Sequence, residues 1–181
     1  MIWYQEPQIA DDSTTQEEIY KLRVVVWEAT VPAAASRFPD GYWIDEHDGH
    51  AHHWVMRDAT RVLAAARLCV HDSVAELPAS YLYSDLSELH AGPVASFNRL
   101  VVHPDAQRHG FSKKLDQAQR DHAVQLGCHA IFVYCWKLSG EARLRSLQRQ
   151  GFRPLAQTYS KQEPPFGAAI PLRLLLDKVA G

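Results

Sequence analysis

The sequence lacks the features that mark several classes of protein. No apolar run in its 181 residues reaches the roughly 18 residues that a membrane-spanning helix needs. Cys69, Cys128 and Cys135 are an odd number of cysteines, and their spacing does not suit a metal site, so we expect reduced thiols. The basic excess typical of nucleic-acid-binding proteins is also missing, because the net charge is -2. We therefore expect neither a membrane partner nor a nucleic-acid partner.

An export signal is not apparent either. The first residues, MIWYQEPQIADD, include acidic side chains where a signal peptide has Lys or Arg, which favours a cytoplasmic protein. The rest of the composition, 46% hydrophobic and 22% charged, is ordinary for a globular protein with a real core. No repeat and no low-complexity linker interrupts the chain. We therefore expect a single domain over residues 1–181.

The hydrophobic pattern predicts strands that alternate with helices, which gives a mixed α/β sheet with helices on both faces. The segment 72–93 predicts a long loop or a short helix, and so long a connection is often a lid or a substrate wall. The predicted strands lie near IWYQEP, at 52–57 and 61–70 as a hairpin, at 95–102, at 130–136, and near 154–160 and 169–176. The predicted helices follow the capping-box pattern at 14–17, run from Phe111 to a C-cap at Gly127, and cover 140–149.

The corner between a predicted strand and a predicted helix carries the clearest functional signal. In VASFNRLVVHPDAQRHGFSKKL, residues 94–115, Gly110 lies among basic residues at the point where the helix must begin. The first N–H groups of a helix have no partner within it, and the helix dipole there favours an anion. Glycine lets a ligand approach the backbone closely because it has no Cβ. The pattern predicts a phosphate-binding loop; the alternative is a solvated helix start with ordinary surface cations.

Two common phosphate-binding loops are excluded. The P-loop needs GxxxxGK[ST] and the dinucleotide-binding fold needs GxGxxG, and neither occurs here. The strand, the His-Pro pair and the QxxGxS that follow instead resemble the acyl-CoA signature [QR]xxGx[GA] of the GNAT superfamily of N-acetyltransferases. Ser112 stands in the last position of that signature. The order of LRVVVWE, the hairpin, the strand at 130–136 and RSLQRQGF extends the resemblance over nearly the whole chain.

This resemblance implies a fold, a cosubstrate and a binding site. The fold would be GNAT-like α/β, with a mixed, mostly antiparallel central sheet and helices on both faces. The cosubstrate would be acetyl-CoA (coenzyme A) and the acceptor a primary amine of a small molecule or peptide, with no metal and with a homodimer left open. The backbone of Leu100, Val101 and Val102 would bind the pantetheine arm. The pyrophosphate would be held by Gln107, Arg108, His109, Gly110, Phe111 and Ser112, with favourable charge from Arg108, Lys113 and Lys114.

The sequence departs from the family pattern at both usual proton-transfer positions. Leu147 stands where the family has a tyrosine acid, and Ser96 stands where it has a carboxylate base. Because side chains alternate along a strand, Ser96 and Asn98 share a face and could hold a water molecule. We therefore expect direct attack of the amine, with proton loss through bound water. The catalytic candidates are Ser96, Asn98, Tyr134 and His53, with His90 and Tyr159 as further candidates.

Two other functions stay open. SFNRLVV and LRVVVWE also resemble the ExSRxxV strand and the LRxxVF helix of acyl-homoserine-lactone and N-acyl amino acid synthases, with Arg99 at the arginine position. That likeness implies a longer acyl chain, carried by acyl-CoA or by acyl carrier protein. The bulky residues of 131–136, with Phe97 and Phe111, favour acetyl over a long chain. Because the usual acid and base are missing, a catalytically silent acyl-CoA-binding module is the second alternative.

The histidine-rich run HDGHAHH raises the alternative of a metal site, since histidine and carboxylate can bind Zn or Ni. A polar turn that enters a strand explains most of this run, and neighbouring strand residues point to opposite faces. We therefore expect no metal. The histidines concerned are His47, His50, His52 and His53. An acceptor pocket could be lined by Trp27, Trp43, Trp54, Tyr81 and Tyr83, although core and lid packing explains each of them equally well.

Overall fold

A computed structural model describes residues 4–30, 37–86, 92–136, 140–155, 159–163 and 167–176. The chain forms two compact units. The first unit comprises Met1–Cys69 and Phe97–Arg120, and the second comprises Val70–Ser96 and Asp121–Gly181. That the whole chain is a single domain stays a prediction. Within the described ranges, no helix is long and apolar enough to cross a membrane.

The first unit contains an antiparallel arrangement of short strands. β1 (Gln8–Ile9) pairs with β2 (His52–Arg57), and β2 pairs with β3 (Val62–His71), whose last two residues belong to the second unit. The predicted hairpin is confirmed. β1 lies at Gln8–Ile9, directly after the predicted segment IWYQEP. The described part of that segment, residues 4–7, forms no strand, although the N–H of Gln5 donates to the carbonyl oxygen of Arg57 at 2.9 Å.

Helices cover both faces of the β2–β3 hairpin, as the hydrophobic pattern predicts. Helix α1 (Ser13–Thr30) begins where Asp12 Oδ1 accepts a hydrogen bond from the backbone N–H of Thr15 at 2.8 Å, so Asp12 is the cap and the predicted Thr14 is not. On one face α1 packs Ile19 and Leu22 against Val55, Val62 and Ala65. On the other face helix α2 (Phe111–Gln125) packs Phe111 and Leu115 against Met56, Ala64 and Ala66.

Strand β4 (Val94–Val102) begins in the second unit and continues into the first. In the second unit it runs parallel to β5 (Ala130–Trp136), with Ala95 opposite Ile131 and Ser96 opposite Phe132. β8 (Gly167–Leu175) pairs antiparallel with β5, while β6 (Arg153–Pro154) and β7 (Tyr159–Glu163) pair antiparallel with β8. The strand predicted near 154–160 overlaps β6 and the start of β7, and residues 156–158 between them lie outside the described residues. The strand pairing is mixed and mostly antiparallel, which confirms the predicted fold class.

The segment predicted as a loop or short helix contains two short 3-10 helices, Val74–Glu76 and Ser80–Leu86. They are part of the core of the second unit, where Leu82 and Tyr83 pack with Phe132 of β5. Helix α3 (Gly140–Arg149) lies where the pattern predicts it. Residues 87–91 lie outside the described residues, so the role of this segment as a lid stays a prediction.

Candidate active site

The last residues of β4 offer backbone and not side chains to a ligand. Val101 is buried against the face of the first unit that α1 covers, and Leu100 and Val102 pack against the face that α2 covers. Their side chains are therefore committed to the core. This leaves the strand backbone as the part that could contact a pantetheine arm, which is the role that the family resemblance implies.

The turn after β4 is fixed by local hydrogen bonds. His103 Nδ1 accepts a hydrogen bond from the backbone N–H of Asp105 at 3.2 Å, and Pro104 opens a single 3-10 turn that ends at Ala106. The N–H of Gln107 then donates to the carbonyl oxygen of Pro104 at 3.3 Å. Ala106 is buried, so this turn is anchored to the core of the first unit directly before the predicted phosphate loop.

The loop that follows has two left-handed residues and a run of backbone N–H groups. Arg108 has φ +66° and Gly110 has φ +79°, and left-handed residues interleaved with ordinary ones turn successive N–H groups towards one side. His109 Nδ1 donates back to the carbonyl oxygen of Gln107 at 2.8 Å, which holds the loop in shape. Among the described residues, no group accepts a hydrogen bond from the N–H groups of Arg108 to Ser112. A Cβ built on Gly110 meets nothing within 4 Å, so the loop is open.

Such a row at the start of a fifteen-residue helix, α2, fits an anion with several oxygens, since the helix dipole adds to the N–H donors. The charge beside it comes from Arg108 and Lys113, which are exposed and have no ion-pair partner in the described part of the chain. Lys114 is already engaged, because its Nζ donates to Glu6 and lies 5.0 Å from the ring centre of Tyr4. Phe111 is only 1% exposed and belongs to the core, so only its backbone can contact a ligand.

Two of the predicted catalytic residues lie in the second unit. Ser96 is buried, and its Oγ is 2.9 Å from Nε2 of His71, a residue that the sequence had not indicated. Tyr134 is half-buried, and its ring makes an edge contact with Trp136 at a centroid distance of 5.5 Å. Leu147, at the position of the family's tyrosine acid, is fully buried.

The other two predicted catalytic residues lie in the first unit. The amide nitrogen of Asn98 is 3.9 Å from Sγ of Cys69, which is a weak contact. His53 is 1% exposed and donates from Nε2 to the carbonyl oxygen of Asp48 at 3.1 Å. Burial lowers the pKa of His53, and so does the charge of Arg23, which favours the neutral imidazole. Of the further candidates, Tyr159 lies in β7 and His90 lies outside the described residues.

His53 belongs to a buried network of charges that sequence reasoning missed. Asp48 accepts two hydrogen bonds from Arg23 of α1, each 2.9 Å, and a third of 2.9 Å from Arg67 of β3. Arg67 also donates to Asp45, which accepts two bonds from Arg99 of β4, one from Nε at 3.0 Å and one from Nη2 at 2.6 Å. The network therefore joins α1, β3, β4 and the turn that carries both aspartates.

The electrostatics of the network keep both aspartates ionised. Burial alone would raise the pKa of Asp45, but hydrogen bonds from Arg67 and Arg99 outweigh it and hold that pKa far below its usual value. The pKa of Asp48 is lowered in the same way, because the bonds and charges of Arg23 and Arg67 outweigh its burial. One sequence signal indicates a buried charge that needs a partner, since Arg67 stands alone in the apolar run VLAAARLCV.

The aromatic residues that could have lined an acceptor pocket have different surroundings. Trp43 stacks on Phe38 and makes an edge contact with Trp27, each with ring centres 4.9 Å apart. Tyr83 is buried against Phe132, whereas Tyr81 is exposed. The histidine run holds no metal-type cluster, since no group of three or more His, Cys, Asp or Glu in the described ranges has a metal-binding arrangement.

The sequence and the fold both resemble known acyltransferases. Residues 16–152 match the Acetyltransferase (GNAT) family. No curated protein has a sequence that matches the chain.

Among solved structures, FeeM, an N-acyl amino acid synthase from uncultured soil microbes, is 13% identical with a TM-score of 0.71, over 97% of this chain and 92% of that one. Arabidopsis thaliana NAA60 in complex with acetyl-CoA is 12% identical with a TM-score of 0.68, over 96% and 99%. BjaI, a CoA-dependent acyl-homoserine lactone synthase with SAM and isopentyl-CoA, is 16% identical with a TM-score of 0.67, over 91% and 77%.

At these identities the solved structures establish the fold alone. The family match is different, because it spans more than half of the chain, including α1, the hairpin, β4 and the loop that opens α2. The chain belongs to the GNAT family of acetyltransferases.

Proposed function

We propose that this chain is an N-acetyltransferase that moves the acetyl group of acetyl-CoA to a primary amine of a small molecule or peptide. The observation that carries the proposal is the open row of backbone N–H groups from Arg108 to Ser112 at the start of α2. A pyrophosphate supplies the several anionic oxygens that such a row can bind. Solved structures of the same fold hold acetyl-CoA, which supports this choice of cosubstrate.

In the proposed complex the loop residues 107–112 hold the pyrophosphate and Arg108 and Lys113 add positive charge. The pantetheine arm then runs back along the backbone of residues 102 to 100, since their side chains are used for packing. The thioester lies at the far end of this stretch. Backbone N–H groups there are the donors that would stabilise the oxyanion of the tetrahedral intermediate.

The chemical step in this proposal is direct attack. The amine nitrogen forms a bond to the thioester carbonyl carbon, the C–S bond breaks, and the proton that the nitrogen loses ends on the CoA sulfur or on solvent. An amine with a pKa near 10.4 is neutral in only about one molecule in 2,500 at pH 7, so its proton needs a route out. We assign that route to bound water, with Ser96 holding the water, because the position of a carboxylate base is a serine here.

A second candidate is an N-acyl amino acid synthase that uses a long acyl chain from acyl-CoA or acyl carrier protein. The observation that favours it is Arg99, the arginine of the SFNRLVV strand, which is held within the charge network by two bonds to Asp45. The fold of FeeM, an N-acyl amino acid synthase, is consistent with this candidate. A third candidate is a catalytically silent acyl-CoA-binding module. It follows from Ser96 at the base position and Leu147 at the acid position.

The test is release of free CoA thiol from acetyl-CoA in the presence of a panel of amines, with the acylated product identified by its mass. Transfer to an amine with acetyl-CoA supports the proposal. Transfer only with long acyl-CoA or acylated carrier protein supports the synthase. Binding of acetyl-CoA, seen by calorimetry, without turnover of any donor and amine supports the silent module and contradicts the proposal.

A further inference from the structure

The buried network of the first unit has a net charge of +1, because it contains three arginines and two aspartates. Its cations are Arg23, Arg67 and Arg99, and its anions are Asp45 and Asp48. Among the described residues, no further carboxylate lies within ion-pair distance of these guanidinium groups. A surplus charge in surroundings of low dielectric favours an anionic partner.

The two aspartates cannot neutralise more than they already do, because each carboxylate oxygen accepts two hydrogen bonds. Asp48 Oδ1 is shared by Arg23 and Arg67, and Asp48 Oδ2 by Arg23 and the backbone N–H of Asp45. Asp45 Oδ1 accepts from Arg67 and from the N–H of His47, and Asp45 Oδ2 accepts twice from Arg99. The acceptor capacity of both carboxylates is therefore filled.

Only Arg99 can deliver the surplus charge to a ligand. The side chains of Arg23 and Arg67 are each 1% exposed, whereas that of Arg99 is 27% exposed. Nε and Nη2 of Arg99 bind Asp45, and Nη1 has no acceptor among the described residues. Its guanidinium group lies 4.2 Å from the ring centre of Trp43, which holds its plane in place. The free donor is thus charged, accessible and pre-organised.

The position of Arg99 along β4 indicates which part of a substrate it meets. It directly precedes the backbone stretch 100–102, while the phosphate loop follows the other end of that stretch. Three extended residues span about 10 Å, so Arg99 lies at the end away from the phosphates. Its φ of +51°, which arginine adopts rarely, turns the chain there. An anion at Arg99 is therefore more naturally part of the acceptor than part of CoA.

We infer that Nη1 of Arg99 binds a carboxylate of the acceptor, so that the amine substrate is an amino acid or another amine with a carboxylate near its amino group. This inference rests on the proposed acyl transfer. The carboxylate compensates the surplus charge of the network. The same chemistry would suit a carboxylate on the donor, such as a malonyl or succinyl thioester, so the experiment includes that source.

The first test uses the wild-type protein and acetyl-CoA with matched acceptors. Each of the twenty amino acids is compared with its carboxamide and with the amine left after decarboxylation. We expect kcat/KM to fall about tenfold to a hundredfold from the acid to either analogue, as for the loss of one charge-assisted hydrogen bond. Malonyl-CoA and succinyl-CoA are tested in parallel with the same amines.

The second test replaces Arg99. In Arg99→Gln the preference for the acid over the carboxamide should disappear, and in Arg99→Lys part of it should remain, because the charge is kept. KM for acetyl-CoA should stay unchanged in both variants. The matched control is Arg57→Lys, since Arg57 has a similar side-chain exposure of 29% and pairs with Glu18 outside the network. A thermal unfolding transition shows whether each variant is folded. If a variant is not folded, the comparison of acids with their analogues on the wild-type protein still tests the inference.

The outcomes separate this inference from the proposed function. Acetyl transfer at equal rates to acids, amides and decarboxylated amines overturns the inference and leaves the acetyltransferase intact. A preference for dicarboxylic donors without discrimination among the acceptors also overturns it, because the carboxylate then belongs to the donor. Absence of transfer from acetyl-CoA to every amine overturns the proposed function first and the inference with it.

Discussion

His71 and Ser96 form a buried side-chain hydrogen bond, with Nε2 of His71 2.9 Å from Oγ of Ser96. Ser96 stands where the family resemblance places a carboxylate, and a neutral hydroxyl is far too weak a base to remove a proton from an ammonium group at neutral pH. What the hydrogen bond does is restrict the rotation of the hydroxyl. A fixed hydroxyl can hold a water molecule, and this is the role that we propose for Ser96.

If water carries the proton, no single side chain should be indispensable. Ser96→Ala and Tyr134→Phe should each lower kcat by well under the roughly hundredfold or more that the loss of a dedicated base or acid causes. The measurement is the steady-state rate of CoA release at saturating amine. A thousandfold loss from the change of one histidine or tyrosine would make that residue the catalyst and would end the water-relay hypothesis.

Gly110 should be essential for binding of the cosubstrate and dispensable for folding. Gly110→Val adds a branched side chain to the loop that we propose holds the pyrophosphate, at a position where a Cβ meets nothing else within 4 Å. We expect the affinity for acetyl-CoA, measured by calorimetry, to be lost.

The matched control for this variant is Gly127→Val at the other end of α2. Gly127 also has a positive φ, +75° against +79° for Gly110, and a Cβ there also meets nothing within 4 Å. Both variants therefore carry a similar backbone strain, on the order of 1–3 kcal/mol. Only the Gly110 variant should lose acetyl-CoA. Wild-type affinity in a folded Gly110→Val protein would contradict the assignment of the loop.

The backbone of the loop between β4 and α2 was predictable from sequence because its determinants are local, while its role in binding phosphate stays a prediction. A strand, a proline turn, a glycine and a helix start follow each other within 94–115, and the structure has them in that order. The hairpin and α3 were equally accessible, since alternation and helical periodicity are properties of neighbouring residues. The cap of α1 shows the limit of this reasoning, because Asp12 and Thr14 both suit a cap and only the backbone geometry chooses between them.

The charge network and the His71–Ser96 pair could not be predicted in the same way. Arg23, Asp48 and Arg67 come from separate parts of the sequence, and nothing local states that they meet. Arg67 within an apolar strand indicates that some partner is needed, since a buried charge without one is very costly, but it does not say which. For His53 the sequence suggested a catalyst, a role that stays a prediction, and it did not indicate the bond from Nε2 to the carbonyl oxygen of Asp48.

The charge network should make the protein less stable in acid. The pKa of Asp45 and that of Asp48 are held below their usual values by the arginines, so the folded state binds fewer protons than the unfolded state. The contribution of both aspartates to the free energy of unfolding is therefore complete above the unfolded-state pKa of about 3.9. It is lost as the pH falls through their lower folded-state pKa values. Burial also lowers the pKa of His53, so stability should begin to fall below about pH 6.5, its usual value.

Urea unfolding at a series of pH values measures this dependence. In His53→Gln the fall that begins near pH 6.5 should vanish, while the steeper fall near pH 4 and below should remain, because the aspartates still titrate. The control is Glu141→Gln, since Glu141 forms an exposed pair with Arg145 and should change the profile little. A wild-type free energy of unfolding that stays constant from pH 7 to pH 4 would contradict the neutral, buried state of His53.

The donor should be acetyl-CoA and not a long acyl-CoA. A long chain needs a channel lined by small residues, and the residues at issue are large and already packed. Phe132 is fully buried against Tyr83, Phe97 is 5% exposed, and Phe111 is part of the core under α2. Each CH₂ that a channel could bury would contribute about 0.8 kcal/mol, so a channel would show as an approximately fourfold gain in kcat/KM for every added carbon.

We expect the reverse in a series from acetyl-CoA to dodecanoyl-CoA with a competent amine: kcat/KM should be highest for the shortest donors and fall as the chain lengthens. The matched variant is Phe97→Ala, which removes the ring of one of these residues and should relax the discrimination against longer donors if that side chain limits the space. A steady rise in wild-type activity towards dodecanoyl-CoA would reverse the assignment and favour the N-acyl amino acid synthase.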